Sequence, residues 1–502
     1  MPIPRTFIGF LDTISKTGSV ALVDARTGRE ITYSELATHA KDLAFRLDFK
    51  KGDRIILYNL NQLDWIIAFF AIQLRGGIVV PIDERVSETF IAKVTSEIKP
   101  VLVISDTKNE ILFAGIKKNN FHSCAQQTLI HKSSIETDPN DPCEIIFTSG
   151  TWSDPKGVTL SQRNILSNVE QILSVYPDKK PSVVLGILPL SHAYQQTLGL
   201  FTPLSLGSKI IFLKVTNSLD LVGSIKKYNI VVIPLVPRVL DLLFSAITRK
   251  VRNKRVRAIF TKVVSISRFL PRGLRRLLFY FVHKELGQTL TTLVSGGSPL
   301  TEKIDHFFQG LGYKVMVGYG LSECSPIVSA HFGQFRKSGE VGKPLPNVEV
   351  SLGDGGEIIV SGENVFLGYW QNYSVRSSFL TGDLAFRLKN GSLVLKGRNK
   401  NLIIFDSGEK CFCEDLELIV NEIEGVDMSC FVGKNRNGTI VTECLIGTKH
   451  PNSFNEREVI QSIKKKIPLG INVSRCVFIK DNEFPLTHTL KPNRAEVSRL
   501  LD

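Results

Sequence analysis

Continuous apolar runs alternate with amphipathic segments along most of the chain. The apolar runs are rich in Val, Ile and Leu and occupy residues 53–60, 76–82, 100–105, 208–213, 229–236 and 289–297. Helical candidates lie between them, such as residues 32–47, where Ser34 and Glu35 open an amphipathic run. Strands that are apolar on both faces are typical of parallel sheet covered by helices, so the pattern predicts an α/β fold.

The pattern changes from about residue 339 onwards. The stretches GEIIVSGENVFLGYW and GSLVLKGR predict short antiparallel strands with glycine turns, and a compact α+β segment follows Arg398. The chain has 502 residues, which is too many for one core, so we expect more than one domain. The most hydrophobic window, residues 65–82, is interrupted at Arg75 and predicts a helix that leads into a strand, not a membrane span.

The cysteines and the first residues indicate a compartment. Eight cysteines are scattered without a paired framework, and no Cys/His cluster has the spacing of a zinc site. The first residues lack the apolar core and cleavage site of a signal peptide. The sequence therefore predicts a cytoplasmic protein with free thiols.

The net charge of +14 is concentrated in one segment. Residues 249–276 contain eleven Lys or Arg and no Asp or Glu, and an apolar stripe at helical spacing follows from Leu274 to Val282. Such a region, residues 249–284, suits an anionic membrane surface. Alternatively, the stripe packs on the protein and the charges are solvated. We find no recognised nucleic-acid motif and expect no nucleic-acid partner.

A hydroxyl-rich loop follows an apolar strand in the stretch IIFTSGTWSDPKGV, residues 145–158. It presents hydroxyl groups, two glycines and the single cation of Lys156, which suits the oxygens of a polyphosphate. It is not a Walker loop, because Gly157 and Val158 follow the lysine. Taken alone, the loop is about as well explained by an exposed turn.

Further motif blocks follow in a set order. They are LPLSHAYQQT (188–197), GYGLSECSP (318–326), GEIIVSGENVFLGYW (356–370), TGD (381–383), GRNK (397–400) and PLTHTLKPNR (485–494). With the hydroxyl-rich loop, this set resembles the adenylate-forming superfamily, which includes acyl- and aryl-CoA synthetases, adenylation domains of peptide synthetases and firefly luciferase. The resemblance covers essentially the whole chain.

The resemblance implies an architecture. We expect an α/β protein whose large N-terminal domain, residues 1–398, binds ATP and the acyl group. This domain would contain parallel-rich sheets and a small distorted β-barrel. Residues 399–502 would form a small, mobile α+β domain that pivots at Lys400 after an adenylate has formed.

The resemblance also implies a site for ATP, Mg²⁺ and CoA. Tyr319 would stack on adenine, Asp383 would accept hydrogen bonds from the ribose hydroxyls, and Glu323 would bind Mg²⁺, a hard cation that prefers oxygen ligands. The residues expected to bind the nucleotide or CoA are Thr148, Ser149, Gly150, Thr151, Ser153, Lys156, Gly296, Gly297, Tyr319, Gly320, Ser322, Asp383, Arg398, Lys400 and Gly408.

Lys491, in the frame TLKPNR, is the leading catalytic candidate. A carboxylate that attacks the α-phosphate of ATP brings two anions together, and the transition state gathers more negative charge. A cation aimed there stabilises the transition state more than the ground state. After the pivot, Lys491 would leave and a thiol tunnel near Gly408 would come into register, which gives thioester formation as the second half-reaction.

The acid is expected to be a fatty acid. Residues 179–219 contain no Asp or Glu, so a substrate ammonium group would have no partner in this part of the pocket. This segment and VPRVLDLLF, residues 236–244, resemble long-chain fatty acyl-CoA synthetases. His192 would gate the acyl pocket or stabilise the carboxylate, and a packed, hydrogen-bonded histidine is an equal alternative. A bilayer substrate also favours peripheral attachment to the inner face of a membrane.

The phosphate loop departs from the family pattern, because Trp152 replaces a Thr and Ser153 replaces a Gly. Three interpretations therefore stay open: an acyl-CoA synthetase, an acyl-AMP ligase that loads an acyl carrier protein, and a nonenzymatic protein that binds nucleotide or fatty acid at a membrane. The presence of Lys491 argues against the third, because a binding module has little need of it.

Overall fold

The computed structural model describes residues 3–58, 62–106, 113, 116–119, 136–148, 155–215, 218–249, 254–333, 336–373, 378–406, 409–421, 423, 425–436, 438–467, 471–487 and 492–502. The helices are α1 (Phe7–Ile14), α2 (Tyr33–Arg46), α3 (Gln62–Leu74), α4 (Glu88–Ile98), α5 (Gln162–Val175), α6 (Ala193–Gln196), α7 (Thr202–Ser205), α8 (Ser218–Lys227), α9 (Pro237–Arg249), α10 (Lys254–Ser267), α11 (Arg272–Leu278), α12 (Tyr280–Leu286), α13 (Glu302–Gly310), α14 (Cys413–Asn421), α15 (Glu456–Lys464) and α16 (Arg494–Leu500). The strands are β1 (Val20–Asp24), β2 (Glu30–Thr32), β3 (Arg54–Tyr58), β4 (Ile78–Ile82), β5 (Leu102–Ser105), β6 (Lys117–Asn119), β7 (Pro142–Thr148), β8 (Lys156–Ser161), β9 (Val183–Gly186), β10 (Lys209–Phe212), β11 (Val232–Leu235), β12 (Thr292–Ser295), β13 (Lys314–Gly320), β14 (Ile327–His331), β15 (Glu340–Pro344), β16 (Val348–Leu352), β17 (Glu357–Gly362), β18 (Gly368–Tyr369), β19 (Asn372–Tyr373), β20 (Ser378–Arg387), β21 (Leu393–Arg398), β22 (Leu402–Ile404), β23 (Lys410–Phe412), β24 (Val426–Arg436), β25 (Thr439–Thr448) and β26 (Val473–Lys480).

Two large sheets contain most of the strands. The first has the order β16-β17-β20-β21-β15-β14-β13-β12-β11-β9-β10-β1-β2, and the second has the order β19-β18-β8-β7-β4-β3-β5-β6. Strands β1, β10, β9, β11, β12 and β13 pair in parallel, as do β7, β4, β3, β5 and β6. The apolar runs therefore form parallel sheet, and the predicted α/β class is confirmed.

Helix α3 lies between the two sheets, because it contacts β1 of the first and β3 and β4 of the second. Every residue from Leu63 to Leu74 is buried, which explains why this window is so uniformly apolar. Asp64, fully buried on this helix, is paired with Arg29 at 2.6 Å, since a buried carboxylate needs an opposite charge. The helix ends before Arg75 and leads into β4, as the sequence predicts.

The expected β-barrel is not detected among the described residues. Strands β14, β15, β21, β20, β17 and β16 extend the first sheet antiparallel, and among the described residues no hydrogen-bonded ladder closes them into a barrel. The chain between β17 and β20 instead crosses to the second sheet, where Gly368 of β18 pairs with Thr159 of β8.

The large sheets end in sequence at Arg398, the last residue of β21. The hairpin β22–β23, helix α14 and a three-stranded sheet of β24, β25 and β26 follow. Arg494, at the start of α16, forms an ion pair with Glu417 of α14 at 2.5 Å and also donates to the carbonyl of Phe431. Arg494, although it belongs to the same motif as Lys491, therefore ties this smaller unit together.

Among the helices of the described residues, none combines the length and the hydropathy of a membrane span.

Candidate active site

A cleft of about 2160 Å³ opens where the parallel strands of both sheets end. Residues at or just beyond the carboxyl ends of strands line it, among them Asp83 after β4, Thr148 of β7, Gly297 after β12 and Gly320 of β13. The carboxyl ends of parallel strands are where open α/β sheets bind ligands, because the loops that follow meet there. The fold therefore brings residues from several of the sequence motifs to one concave surface.

The smaller C-terminal unit forms another wall of this cleft. Lys400, Lys449, Thr487 and Pro492 line it together with the residues of the two sheets. Burial lowers the pKa of Lys400 below its ordinary value, and the nearby positive charge of Arg398 lowers it further. The cleft is therefore bounded by both parts of the chain.

Asp383 is buried and holds two partners at the edge of the cleft. Its Oδ2 accepts a hydrogen bond from the Tyr319 hydroxyl at 2.8 Å, and its Oδ1 lies 2.9 Å from Nε of Arg398. The β20–β21 register pairs residues 383 and 398 directly across the ladder, which fixes this contact. Burial and the neighbouring carboxylate of Asp383 raise the pKa of Tyr319, so this phenol remains a hydrogen-bond donor.

Glu323, Tyr369 and Lys156 form a connected row on the cleft wall. Glu323 lies in a 3₁₀ turn, Ser322–Cys324, and its Oε1 accepts a hydrogen bond from the Tyr369 hydroxyl at 3.0 Å. The Nζ of Lys156 lies 5.2 Å from the centre of the Tyr369 ring, within the range of a cation–π contact. The Tyr369 side chain therefore contacts both Lys156, the lysine of the phosphate loop, and the Glu323 carboxylate, which is expected to bind Mg²⁺.

His192 is the N-cap residue of α6 and lies beside a salt bridge on the same wall. Asp83 accepts hydrogen bonds from Nε and Nη2 of Arg85 at 2.9 and 2.8 Å. Burial alone would raise the pKa of Asp83, but the hydrogen bonds from Arg85 outweigh burial and lower it, with a smaller effect of His192. The Ser191 hydroxyl is 3.4 Å from the same carboxylate. This corner of the cleft is therefore charged and tightly hydrogen-bonded.

The two glycines after β12 have different surroundings. A Cβ on Gly296 would meet the Tyr194 ring at 2.6 Å, so this glycine makes room for a tyrosine. The Tyr194 hydroxyl donates to the carbonyl of Val294 at 2.9 Å. Gly297 lines the cleft and has a φ of +82°, a conformation that favours glycine.

The structure brings most of the predicted site residues together. Those that line the cleft are Thr148, Lys156, His192, Gly297, Gly320, Ser322, Glu323, Arg398 and Lys400. Tyr319 and Asp383 lie directly behind them through the contacts above. Six predicted residues lie outside the described residues, namely Ser149, Gly150, Thr151, Ser153, Gly408 and Lys491.

Sequence reasoning gave no role to Tyr369, Asp83 or Arg85. Tyr369 lies in GYW at the end of one motif block. This position indicates that Tyr369 is near the site, but it does not indicate which residues Tyr369 contacts. Asp83 and Arg85 follow β4 in the stretch PIDER, and only their position at a strand end points to the cleft. Their contacts depend on pairing between distant segments, which the sequence does not show.

A second cavity, of about 50 Å³, lies behind the cleft. Gly318 and Ile327 line both cavities, so one layer of residues separates them. Its walls come from β9, β11, β12, β13, β14 and the helical segment after α6, and include Leu198, Val294 and Met316. None of the described residues that line it is charged. This space therefore favours an apolar occupant.

The fold and the site define a class of enzyme. A cleft at strand ends that is lined by Lys156, Glu323 and Arg398 is the arrangement expected of an adenylate-forming acid–CoA ligase. A family model described as AMP-binding enzyme matches residues 14–370. The chain belongs to this family.

Several characterised proteins are similar to this chain. It is 27% identical over 481 residues to the long-chain-fatty-acid–CoA ligase FadD15 of Mycobacterium bovis, covering 84% of this chain and 79% of the relative. It is 26% identical to 4-coumarate–CoA ligase-like 6 of Arabidopsis thaliana, over 96% of this chain and 88% of the relative. These relatives support ATP and CoA as substrates and do not agree on the acid.

Solved structures of similar fold cover nearly the whole chain. ATP-bound MatB from Rhodopseudomonas palustris has a TM-score of 0.82 at 20% identity, covering 99% of this chain and 98% of that one. MenE, the o-succinylbenzoate CoA synthetase from Bacillus subtilis, in complex with ATP and a magnesium ion, has a TM-score of 0.79 at 18% identity, covering 97% and 98%. Both show that the fold is shared.

Proposed function

We propose that this protein activates a fatty acid, long-chain in class by its similarity to FadD15, and transfers it to CoA. In the first half-reaction a carboxylate oxygen attacks the α-phosphorus of ATP, which forms acyl-AMP and releases pyrophosphate. In the second, the CoA thiolate attacks the acyl carbonyl carbon, which forms the thioester and releases AMP. One observation carries the choice of acid: residues 187–194 line the cleft and contain no Asp or Glu, so this wall offers no partner for a substrate ammonium group.

The position of the carboxylate follows from this choice. The carboxylate of the acid would lie in the cleft, and His192 on the cleft wall is the candidate to contact it. An amino acid would bring an ammonium group, and the segment 179–219 supplies no acidic partner for it. The similarity to a fatty-acyl ligase, FadD15, points in the same direction.

The residues of the cleft take distinct roles in this proposal. Asp383 accepts the ribose hydroxyls with the remaining lone pairs of its two oxygens, and Arg398 holds that carboxylate in place. Thr148 and Lys156 border the phosphates. The cation of Lys491, whose neighbours Thr487 and Pro492 line the cleft, stabilises the negative charge that develops on the α-phosphate.

Mg²⁺ fits the same wall. Glu323 offers a half-buried carboxylate and Ser322 a hydroxyl group, and both line the cleft. Oxygen ligands of this kind, completed by phosphate oxygens and water, are what Mg²⁺ requires. When bound, Mg²⁺ neutralises phosphate charge; Glu323 and Tyr369 would fix its distance from Lys156.

We further propose that residues 399–502 act as a mobile domain against residues 1–398. The two half-reactions need different groups at the same acyl carbonyl, first Lys491 and then a thiol that enters near Gly408. A rotation at Lys400, in the 3₁₀ turn Asn399–Asn401, exchanges them. Such a rotation leaves the nucleotide bound to the larger domain throughout.

A product analysis tests the proposed function. The protein is incubated with ATP, Mg²⁺ and a series of fatty acids of increasing length, with and without CoA, and the products are identified by mass. AMP and acyl-CoA, with a preference for long chains, are the expected products. Acyl-AMP that accumulates despite CoA would instead favour a carrier protein as acceptor. ATP that is not consumed with any acid would contradict the proposal.

A further inference from the structure

Helix α10 presents an apolar stripe to solvent. Val256, Ile259, Val263 and Ile266 recur at the spacing of one helical side, and between 47% and 63% of each side chain is exposed. Val264, on the inner side, is fully buried against the core. A soluble helix normally turns its apolar side inwards, so α10 has two apolar sides and only one of them is covered by this chain.

The apolar surface continues through the segment from Phe269 to α12. Phe269, Leu277 and Phe281 are 65%, 71% and 78% exposed. On the inner side, the rings of Phe260 in α10 and Phe279 lie 6.2 Å apart, so the helices pack on each other there. We call this set of exposed apolar residues on α10, α11 and α12 the α10–α12 surface.

The basic residues of this region divide into two groups. Arg272, Arg275 and Arg276 donate hydrogen bonds to the backbone carbonyls of Gly312, Gln309 and Leu290, so these three arginines hold the helices in place. Arg255 and Lys262, in contrast, are exposed and, by the period of the helix, flank the apolar stripe of α10. The surface thus combines apolar side chains with a basic border.

We propose that the α10–α12 surface docks on a membrane that contains anionic lipids. The apolar side chains would enter the acyl-chain region, and Lys262 and Arg255 would lie at the level of the headgroups. Residues 249–276 contain eleven Lys or Arg and no Asp or Glu, which complements an anionic surface. The same charge disfavours a second copy as the occupant, because a symmetric contact would bring two basic borders together. This docking is independent of the acid that the cleft accepts.

Vesicle co-sedimentation tests the docking. The full chain is mixed with vesicles of phosphatidylcholine alone, or of phosphatidylcholine with phosphatidylglycerol, at low and high salt. We expect binding to the anionic vesicles that weakens at least severalfold when the salt rises to about 0.5 M, where surface charges are screened within a few ångströms. Absence of binding, or binding that ignores lipid charge and salt, would overturn the proposal.

Matched variants locate the contact. Leu277→Ser and Lys262→Glu should each reduce the bound fraction severalfold, the first by removing an inserted side chain and the second by reversing a border charge. Leu500→Ser, at an exposed leucine of α16, and Lys179→Glu, at an exposed lysine before β9, make the same changes elsewhere and should bind like the parent chain. Equal binding by all four variants would contradict the assignment. The assignment would also be contradicted if sedimentation velocity showed dimers of the parent chain that dissociate in the Leu277→Ser variant.

Discussion

The hydroxyl and ring of Tyr369 act on two different charged groups. The hydroxyl donates to Glu323, and the ring faces the ammonium group of Lys156. A donor to a carboxylate restricts its orientation, and a cation over a ring prefers a position near the ring axis. Tyr369 is therefore a positioning residue: it fixes the separation between the expected metal ligand and the lysine that follows the phosphate loop.

Replacing Tyr369 by Phe should raise the Mg²⁺ concentration needed for half-maximal pyrophosphate release by about tenfold, the effect of losing one hydrogen bond to a charged group. The ring and its contact with Lys156 remain. Tyr228→Phe is the control, because Tyr228 also lines the cleft but donates to the carbonyl of Ala25. Identical Mg²⁺ profiles for Tyr369→Phe and the parent enzyme would show that the hydroxyl does not position Glu323.

Lys491→Ala should abolish acyl-AMP formation and leave ATP binding largely intact, because the lysine acts on charge that develops only in the transition state. Pyrophosphate release and ATP binding by calorimetry measure the two quantities. Lys465→Ala, at an exposed lysine just after α15, is the control. Unchanged pyrophosphate release from the Lys491 variant would refute the assignment.

At the scale of elements, strand register decides which side chains meet. The β20–β21 ladder places Asp383 opposite Arg398, and β13 brings the Tyr319 hydroxyl to the same carboxylate. On β7, Glu144 is fully buried and its Oε1 accepts a hydrogen bond from Gln196 of α6 at 2.6 Å. Its Oε2 has no hydrogen-bond partner within the described part of the chain. Strand β7 of the second sheet is thus joined to α6 through the side chain of Glu144, which is shielded from water.

Glu144 should make stability depend on pH. Burial raises its pKa to about 8 from 4.5 and outweighs the hydrogen bond from Gln196, so the folded chain keeps a proton that the unfolded chain loses. The stabilisation is complete below about pH 4.5 and is lost as the pH rises through about 8. Glu144→Gln, which stays neutral, should lose less stability than the parent chain over this window. Denaturant unfolding as a function of pH measures it.

Glu349→Gln, on the exposed side of β16, is the control for this titration. Its free energy of unfolding should follow that of the parent chain at every pH. The Glu349 side chain is exposed to water in the folded chain, as it is in the unfolded chain. If the parent chain and Glu144→Gln instead show parallel pH profiles, Glu144 does not hold a proton in the folded state.

At the scale of the whole molecule, the cleft is bounded by both parts of the chain. Lys400, Lys449, Thr487 and Pro492 of the smaller unit line it, together with strand ends of both sheets. The arrangement suits the first half-reaction, because the residues on either side of Lys491 border the same space as Thr148 and Glu323. The second half-reaction requires the smaller unit to turn.

Lys400→Pro should slow thioester formation at least tenfold more than acyl-AMP formation, because proline fixes φ at the proposed pivot. The two half-reactions are measured separately, as pyrophosphate release without CoA and as acyl-CoA formation from preformed acyl-AMP. Lys400→Ala removes the charge but leaves φ free, so it separates the loss of the cation from the loss of rotation. Equal slowing of both half-reactions in the proline variant would contradict the pivot.

The sequence by itself determined the class of fold and most of the site. Apolar runs such as residues 76–82 predict buried parallel strands because burial on both faces requires side chains of one kind. The motif blocks that resemble the adenylate-forming superfamily single out Thr148, Glu323 and Gly297, and all three line the cleft. These properties are local, and so they can be inferred from neighbouring residues alone.

Only the tertiary structure decided which distant segments meet. The antiparallel strands after residue 339 extend the first sheet, while the chain at Gly368 pairs with β8 of the second sheet. The same folding turns Arg272, Arg275 and Arg276 inwards onto backbone carbonyls and leaves Leu277 exposed, although one basic segment contains all four. Contacts of this kind depend on register and packing across hundreds of residues, which the order of amino acids encodes but does not display.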